Sequence, residues 1–140
     1  MRHALVALFG ALLAGCVQLP PTPQDVQAKR FEPVADRAVI YVVRQPMDSR
    51  EIGGLLLDNG EQVTTLAGTY YRWVVAPRTR RILGLTPASA SLTLNTEPGK
   101  IYFLRHTVLG TMRSGAQLAA LTPIDEALGR SLVLESELVR

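Results

Sequence analysis

Seven short runs rich in β-branched and aromatic residues follow one another between Ala38 and Leu109, each closed by a turn signal. That spacing restricts the fold more than any other feature of the chain. Ala38-Val39-Ile40-Tyr41-Val42-Val43-Arg44 is the first run, and Pro46 stops it because proline cannot donate to a ladder. Gly54 to Leu57 is the second. Asp58-Asn59-Gly60 then turns the chain, since Asn and Gly adopt positive φ cheaply, and Glu61 to Leu66 returns as the third. Ala67-Gly68 leads into the fourth, Thr69 to Val75. Alternation puts Tyr71, Trp73 and Val75 on one of its faces and Tyr70, Arg72 and Val74 on the other. Pro77-Arg78 turns into Thr79 to Leu85. Ser91 to Asn95 alternates with Leu92 and Leu94 inward, and Glu97-Pro98-Gly99-Lys100 turns into Ile101 to Leu109. Gln117 to Leu121 is an eighth candidate. Short strands this close together predict an all-β fold, an antiparallel β-sandwich of about seven to eight strands. A short C-terminal helix follows: Thr122 as cap, Pro123 at its first position, Asp125 in the first turn, Ile124, Ala127 and Leu128 on one face, and Gly129 as its end. Leu132 to Val139 reads either as a last strand or as more helix.

The other end of the chain is different in kind. After Met1-Arg2-His3 comes an uncharged stretch of ten residues, Ala4 to Leu13. A membrane-crossing helix needs roughly 20 apolar residues, whereas ten suit the core of an export signal, and Gln18, Pro20 and Pro21 end the run. The stretch closes on Leu13-Ala14-Gly15-Cys16, which resembles the lipobox of bacterial lipoproteins. That resemblance implies cleavage after residue 15, a diacylglycerol thioether on Cys16 and acylation of its freed amine. Each buried methylene contributes about 0.8 kcal/mol, so two or three acyl chains make a stable anchor. Val17, in place of an aspartate, leans toward the outer membrane, with the domain facing the periplasm. The expected organisation is a signal peptide at 1–15, a lipidated proline-rich tether at 16–36 and a β-sandwich domain at 37–140. Within the tether, Gln24 to Arg30 gives only a weak helix signal.

Removing the leader leaves 140 − 15 = 125 residues, one domain and its tether. Cys16 is the single cysteine, so no intramolecular disulfide forms. Without Arg2 the charge is 14 − 12 = +2, a balance that gives no reason to expect nucleic acid and leaves a weak attraction to anionic envelope polymers.

Five segments in order carry a second resemblance: Ala38 to Arg44, Leu57-Asp58-Asn59-Gly60, Leu66-Ala67-Gly68-Thr69-Tyr70, Pro77, and Pro98-Gly99-Lys100-Ile101-Tyr102-Phe103-Leu104-Arg105. Their order is similar to the bacterial lipoprotein domain of unknown function two-eight-four-six, related in style to transthyretin-like and carboxypeptidase-regulatory-like sandwiches. The match runs over about residues 36 to 135, and Arg78 departs from it where glycine is common after the turn proline. The resemblance implies a β-sandwich in the cell envelope. It carries over no reaction and no functional residue.

Few residues suggest chemistry. His106 is the one histidine after the leader, on the strand face of Tyr102, Leu104 and Val108, and reads as structural. With the cysteine committed to lipid, no nucleophile–base pair and no set of His and Cys metal ligands can be assembled. Asp48, Glu51, Asp58 and Glu61 form a loose acidic group that fits no calcium-loop spacing. Arg78, Arg80 and Arg81 cluster after Pro77, a possible patch for carboxylate or phosphate groups and otherwise a solvated hairpin end. Arg44 and Arg105 sit amid apolar residues and read as register-fixing ion pairs, with a recognition patch as the alternative; Tyr70, Tyr71 and Trp73 read as core. No cofactor is expected. The expected role is a non-enzymatic binding or interaction module for an envelope protein or glycan, held on the membrane through Cys16. The alternatives are a carboxylate-dependent periplasmic hydrolase and a structural accessory subunit of an envelope complex.

Overall fold

The computed structural model describes residues 20–86 and 90–139. The leader and the Leu13-Ala14-Gly15-Cys16 tetrad lie outside the described residues. Among those described, nine strands are formed: β1 Ala38–Arg44, β2 Gly53–Leu57, β3 Gln62–Thr65, β4 Thr69–Val75, β5 Thr79–Gly84, β6 Ser91–Asn95, β7 Ile101–Leu109, β8 Leu118–Ile124 and β9 Glu137–Leu138. Two short helices flank them, α1 at Pro23–Ala28 and α2 at Glu126–Leu134. The strands build a five-stranded sheet in the order β8-β7-β1-β4-β9 and a four-stranded sheet in the order β3-β2-β5-β6. The architecture is the expected all-β sandwich with a short C-terminal helix.

The composition of β1 explains the layering. All seven of its residues are buried, as a central strand covered on both faces requires. Ile40 and Val42 face the second sheet, joining Trp73, Val75 and Leu104 against Leu55, Leu57, Val63 and Ile82. Val39, Tyr41 and Val43 face the other way, with Tyr70 and Phe103, under Ala28, Phe31, Leu132 and Val133. Tyr41 stacks on Phe103 with ring centroids 5.2 Å apart. Each fully buried large side chain contributes about 1.5–3 kcal/mol.

The pairing is less uniform than an antiparallel sandwich. β1 lies parallel to β7, with Val39 opposite Ile101, and β4 lies parallel to β9, with Thr69 opposite Glu137. Parallel neighbours need a long crossover. Between β1 and β7 it is supplied by four intervening strands in the second sheet together with β4.

Three local expectations change. The segment expected as tether packs onto the domain from Pro23: Thr22 Oγ1 caps α1 by accepting the Asp25 N–H at 3.2 Å, and Asp25, Ala28 and Phe31 are buried. The cap of α2 is Asp125, whose carboxylate accepts the Leu128 N–H at 2.9 Å, while Pro123 and Ile124 remain in β8. Gly129 does not end that helix. It lies against the Phe103 ring, where a Cβ has no room, so glycine permits close approach there. Residues 132–139 divide between the last turn of α2 and β9.

Candidate functional site

The residues singled out from sequence are dispersed. His106 is fully buried between the sheets, with Nδ1 3.1 Å from Thr65 Oγ1 and Nε2 without a partner among the described residues. Burial, with the Arg44 guanidinium second, pushes its pKa down to about 4 against the pull of Asp48. It is a neutral core side chain at pH 7, as its strand position suggests. Arg44 is also fully buried. Its Nε donates to Asp48 Oδ2 at 3.1 Å, and its two terminal nitrogens donate to the carbonyls of Thr65 and Ser49. Asp48 Oδ2 additionally accepts the Val108 N–H at 3.1 Å. This pair therefore ties β1, the end of β3, the loop after β1 and β7 into one register. Arg105 is half-buried on the opposite face of β7, and its Nε has no partner among the described residues.

The acidic residues do not gather. Asp48 serves Arg44, Asp58 serves Arg80 and Arg78, and Glu61 accepts the Tyr71 hydroxyl at 2.8 Å. That bond and burial both raise the Tyr71 pKa, burial more. Among the described residues no group of three or more His, Cys, Asp or Glu comes together. The arginine cluster separates as well. Alternation along β5 buries Arg80 with Ile82, while Arg81 is exposed on the other face. Arg80 Nη1 lies 3.1 Å from both Asp58 oxygens, and its guanidinium sits 5.4 Å from the Trp73 ring centroid. Arg78 is mostly exposed and reaches Asp58 only at 3.5 Å. Of the expected patch, Arg80 is an internal strut unavailable to a ligand.

The site that emerges lies elsewhere, at the outer edge of β4. β9 covers only the start of this strand: the Glu137 N–H donates to the Gly68 carbonyl and the Val139 N–H to that of Tyr70. By alternation, the N–H and C=O groups of Arg72 and Val74 point to the same side. There, no described residue is hydrogen-bonded to them across the edge. Beside this free end is an open groove of about 450 Å³, lined by Gln24, Gln27 and Ala28 of α1 and by Arg72, Leu138 and Val139.

Arg72 is the charged group of the groove. Its Nε donates to the Tyr41 hydroxyl at 3.2 Å, and its guanidinium lies 6.0 Å from that ring's centroid. Tyr41 in turn donates to the Ala28 carbonyl at 2.6 Å. Burial raises the Tyr41 pKa, and the bond from Arg72 partly offsets this. The arginine is thus held from one side, while no carboxylate pairs with it among the described residues. Arg44, Arg78, Arg80 and Arg130 each have one. No family model matches this chain, and no curated protein or solved structure is significantly similar to it.

The arrangement therefore has to be read from its own chemistry. It offers main-chain donors and acceptors in strand geometry, a small apolar wall and one fixed guanidinium. Tyr71, whose hydroxyl donates to Glu61, also lines the groove. Sequence reasoning placed Tyr70 and Arg72 on a common face but left Arg72 unremarked. The groove's second wall was legible in Thr22-Pro23-Gln24-Asp25, a capping pattern with proline at the first helical position.

Proposed function

We propose that this chain is a non-enzymatic lipoprotein of the cell envelope, anchored through Cys16, whose domain binds an extended acidic segment of a partner protein at the free end of β4. The observation that carries the reading is Arg72, oriented by Tyr41 and lacking a carboxylate of its own among the described residues. Strand addition at a sheet edge draws affinity from main-chain hydrogen bonds and specificity from side-chain pockets. A guanidinium suits the carboxylate of such a segment because its fork donates two parallel bonds. The anchor rests on the Leu13-Ala14-Gly15-Cys16 pattern, and the likeness to the two-eight-four-six lipoprotein domain points to the same compartment.

The test is crosslinking in cells, with a photoreactive residue placed at Gln24 of the full chain and partners identified by mass spectrometry. A reproducible partner is expected, lost in Arg72→Glu and kept in Arg81→Glu. Crosslinks that survive Arg72→Glu unchanged would remove the groove from the proposal. Lipid-modified mature protein recovered from a Cys16→Ala variant would remove the anchor.

A further inference from the structure

The two ends of the sandwich differ in surface chemistry. At one end the Gly68 N–H donates to the Arg44 carbonyl at 3.0 Å, which joins the β3–β4 turn to the loop after β1. Asp48 joins that loop to the end of β7 through Val108, and Gln117 Nε2 joins it to the start of β8 by donating to the Ile52 carbonyl at 3.1 Å. These bonds bring Met47, Ile52, Leu66 and Leu109 to a common end of the domain, 94%, 64%, 46% and 54% exposed. The same loops carry Arg50 and Arg113, both exposed and neither paired with a carboxylate among the described residues. Their acidic residues are Glu51 and Asp48, the latter already engaged by Arg44, and Glu137 of β9 adds an exposed carboxylate beside Gly68. At the opposite end the turns hold Asp58, Asn59, Glu61, Arg78, Glu97 and Lys100, and no exposed large apolar side chain is among them.

Exposed apolar side chains interleaved with unpaired arginines are the composition of a surface that lies in a membrane interface, where apolar groups enter the acyl boundary and cations meet anionic headgroups. The chain leading to the anchor starts nearby. α1 is fixed through Asp25 to Tyr70, the second residue of β4, and β4 begins at this apolar end. Only six residues separate Pro23 from Cys16.

We propose that the Met47–Ile52–Leu66–Leu109 end docks on the surface of the bilayer that holds the lipid on Cys16, with Arg50 and Arg113 against anionic headgroups. This inference rests on the anchoring proposed above. It fixes the domain's orientation: the charged end points away from the membrane, and the β4 groove opens sideways, parallel to it.

The test uses the full lipidated protein reconstituted in vesicles of phosphatidylethanolamine and phosphatidylglycerol. A nitroxide is attached at Met47→Cys in one sample and at Asn59→Cys in another; both positions are surface loops, so folding is not at issue. Collision with dissolved oxygen should exceed collision with a water-soluble nickel chelate at position 47, and the order should reverse at 59. Arg50→Glu with Arg113→Glu should shift the 47 label toward water. A lipidated protein whose label at 47 is as accessible to nickel as that at 59 overturns the docking and leaves the anchor standing. A second reactive thiol in the Met47→Cys protein shows Cys16 unmodified, which overturns the anchor and the docking together.

Discussion

The carboxylate of Asp25 accepts the main-chain N–H of Leu138 at 3.1 Å, across 113 residues of sequence. The same oxygen takes the Tyr70 hydroxyl at 2.8 Å, and its partner oxygen takes Lys29 at 2.9 Å. One buried side chain therefore fastens the first helix and the last strand to β4. This bond and burial together raise the Tyr70 pKa, burial being the larger cause. Asp25→Ala leaves a hydroxyl and an amide without their acceptor, and we expect it to cost about 3 kcal/mol. Urea denaturation measures the total, and amide exchange at Leu138 should accelerate more than at β1. A stability loss no larger than that of Arg81→Ala would show that α1 and β9 are held by packing alone.

Arg44 and Asp48 form the other buried pair, with side chains 0% and 7% exposed. Such a pair is weak evidence of net stability, because desolvation offsets the attraction, but removing one partner strands the other. Asp48→Asn retains shape and leaves the Arg44 charge uncompensated. We expect a loss of about 3–5 kcal/mol. The double variant Arg44→Met with Asp48→Leu should recover much of it, and a double variant as unstable as the single would mean that the bonds to Thr65 and Ser49 matter more than charge.

His106 sets a pH dependence. Its folded pKa, about 4, lies below the ordinary value of 6.5. Above pH 6.5 the imidazole is neutral in both states and its stabilising effect is fully present. Between 6.5 and 4 the unfolded chain takes up a proton that the folded chain refuses, so stability falls as pH falls. The total is on the order of 3 kcal/mol. His106→Asn, compared with the parent by urea denaturation at a series of pH values, should flatten this part of the profile. An unchanged slope would assign the acid sensitivity to other groups.

Gly129 lies in the middle of α2, where helix propensity alone favours alanine by about 1 kcal/mol. The Phe103 ring occupies the space a methyl group would need, and overpacking costs typically about 1–3 kcal/mol. Packing should win, so Gly129→Ala is expected to lower the melting temperature. Adding Phe103→Leu should reverse the sign of the alanine effect. Stabilisation by Gly129→Ala alone would show that α2 shifts outward easily.

Strand existence and the alternation within strands were legible because they follow from local chemistry. Val39 and Ile40 needed no partner to be read as strand, and Trp73 was placed opposite Tyr70 by period alone. What sequence did not convey was pairing. Nothing in Ile101 to Leu109 says that it lies parallel to β1, because register over that distance is decided by which surfaces remain unburied after the intervening strands have formed. The helix at Pro23 is obscured for the same reason: four prolines suggest an extended segment, while the burial of Asp25 and Phe31 is a tertiary fact. At the site, Arg80 looked available because charge suggests solvent, yet its alternation with Ile82 already put it inside. Arg72 gave no signal of its own. Its significance comes from a missing neighbour, and an absence of partners is visible only in three dimensions.

The double burial of β1 has a consequence for how the chain matures. A polypeptide delivered N-terminus first presents Ala38 to Val43 long before β7 and α2 exist to cover the strand's two faces. Its antiparallel neighbour β4 arrives early, but the parallel one comes some sixty residues later, with Val39 meeting Ile101. Contacts of such separation form slowly and leave sticky intermediates. The two faces of β1 are therefore covered only when nearly the whole domain has been made, which leaves β7 and α2 among the last elements able to shield it from other chains.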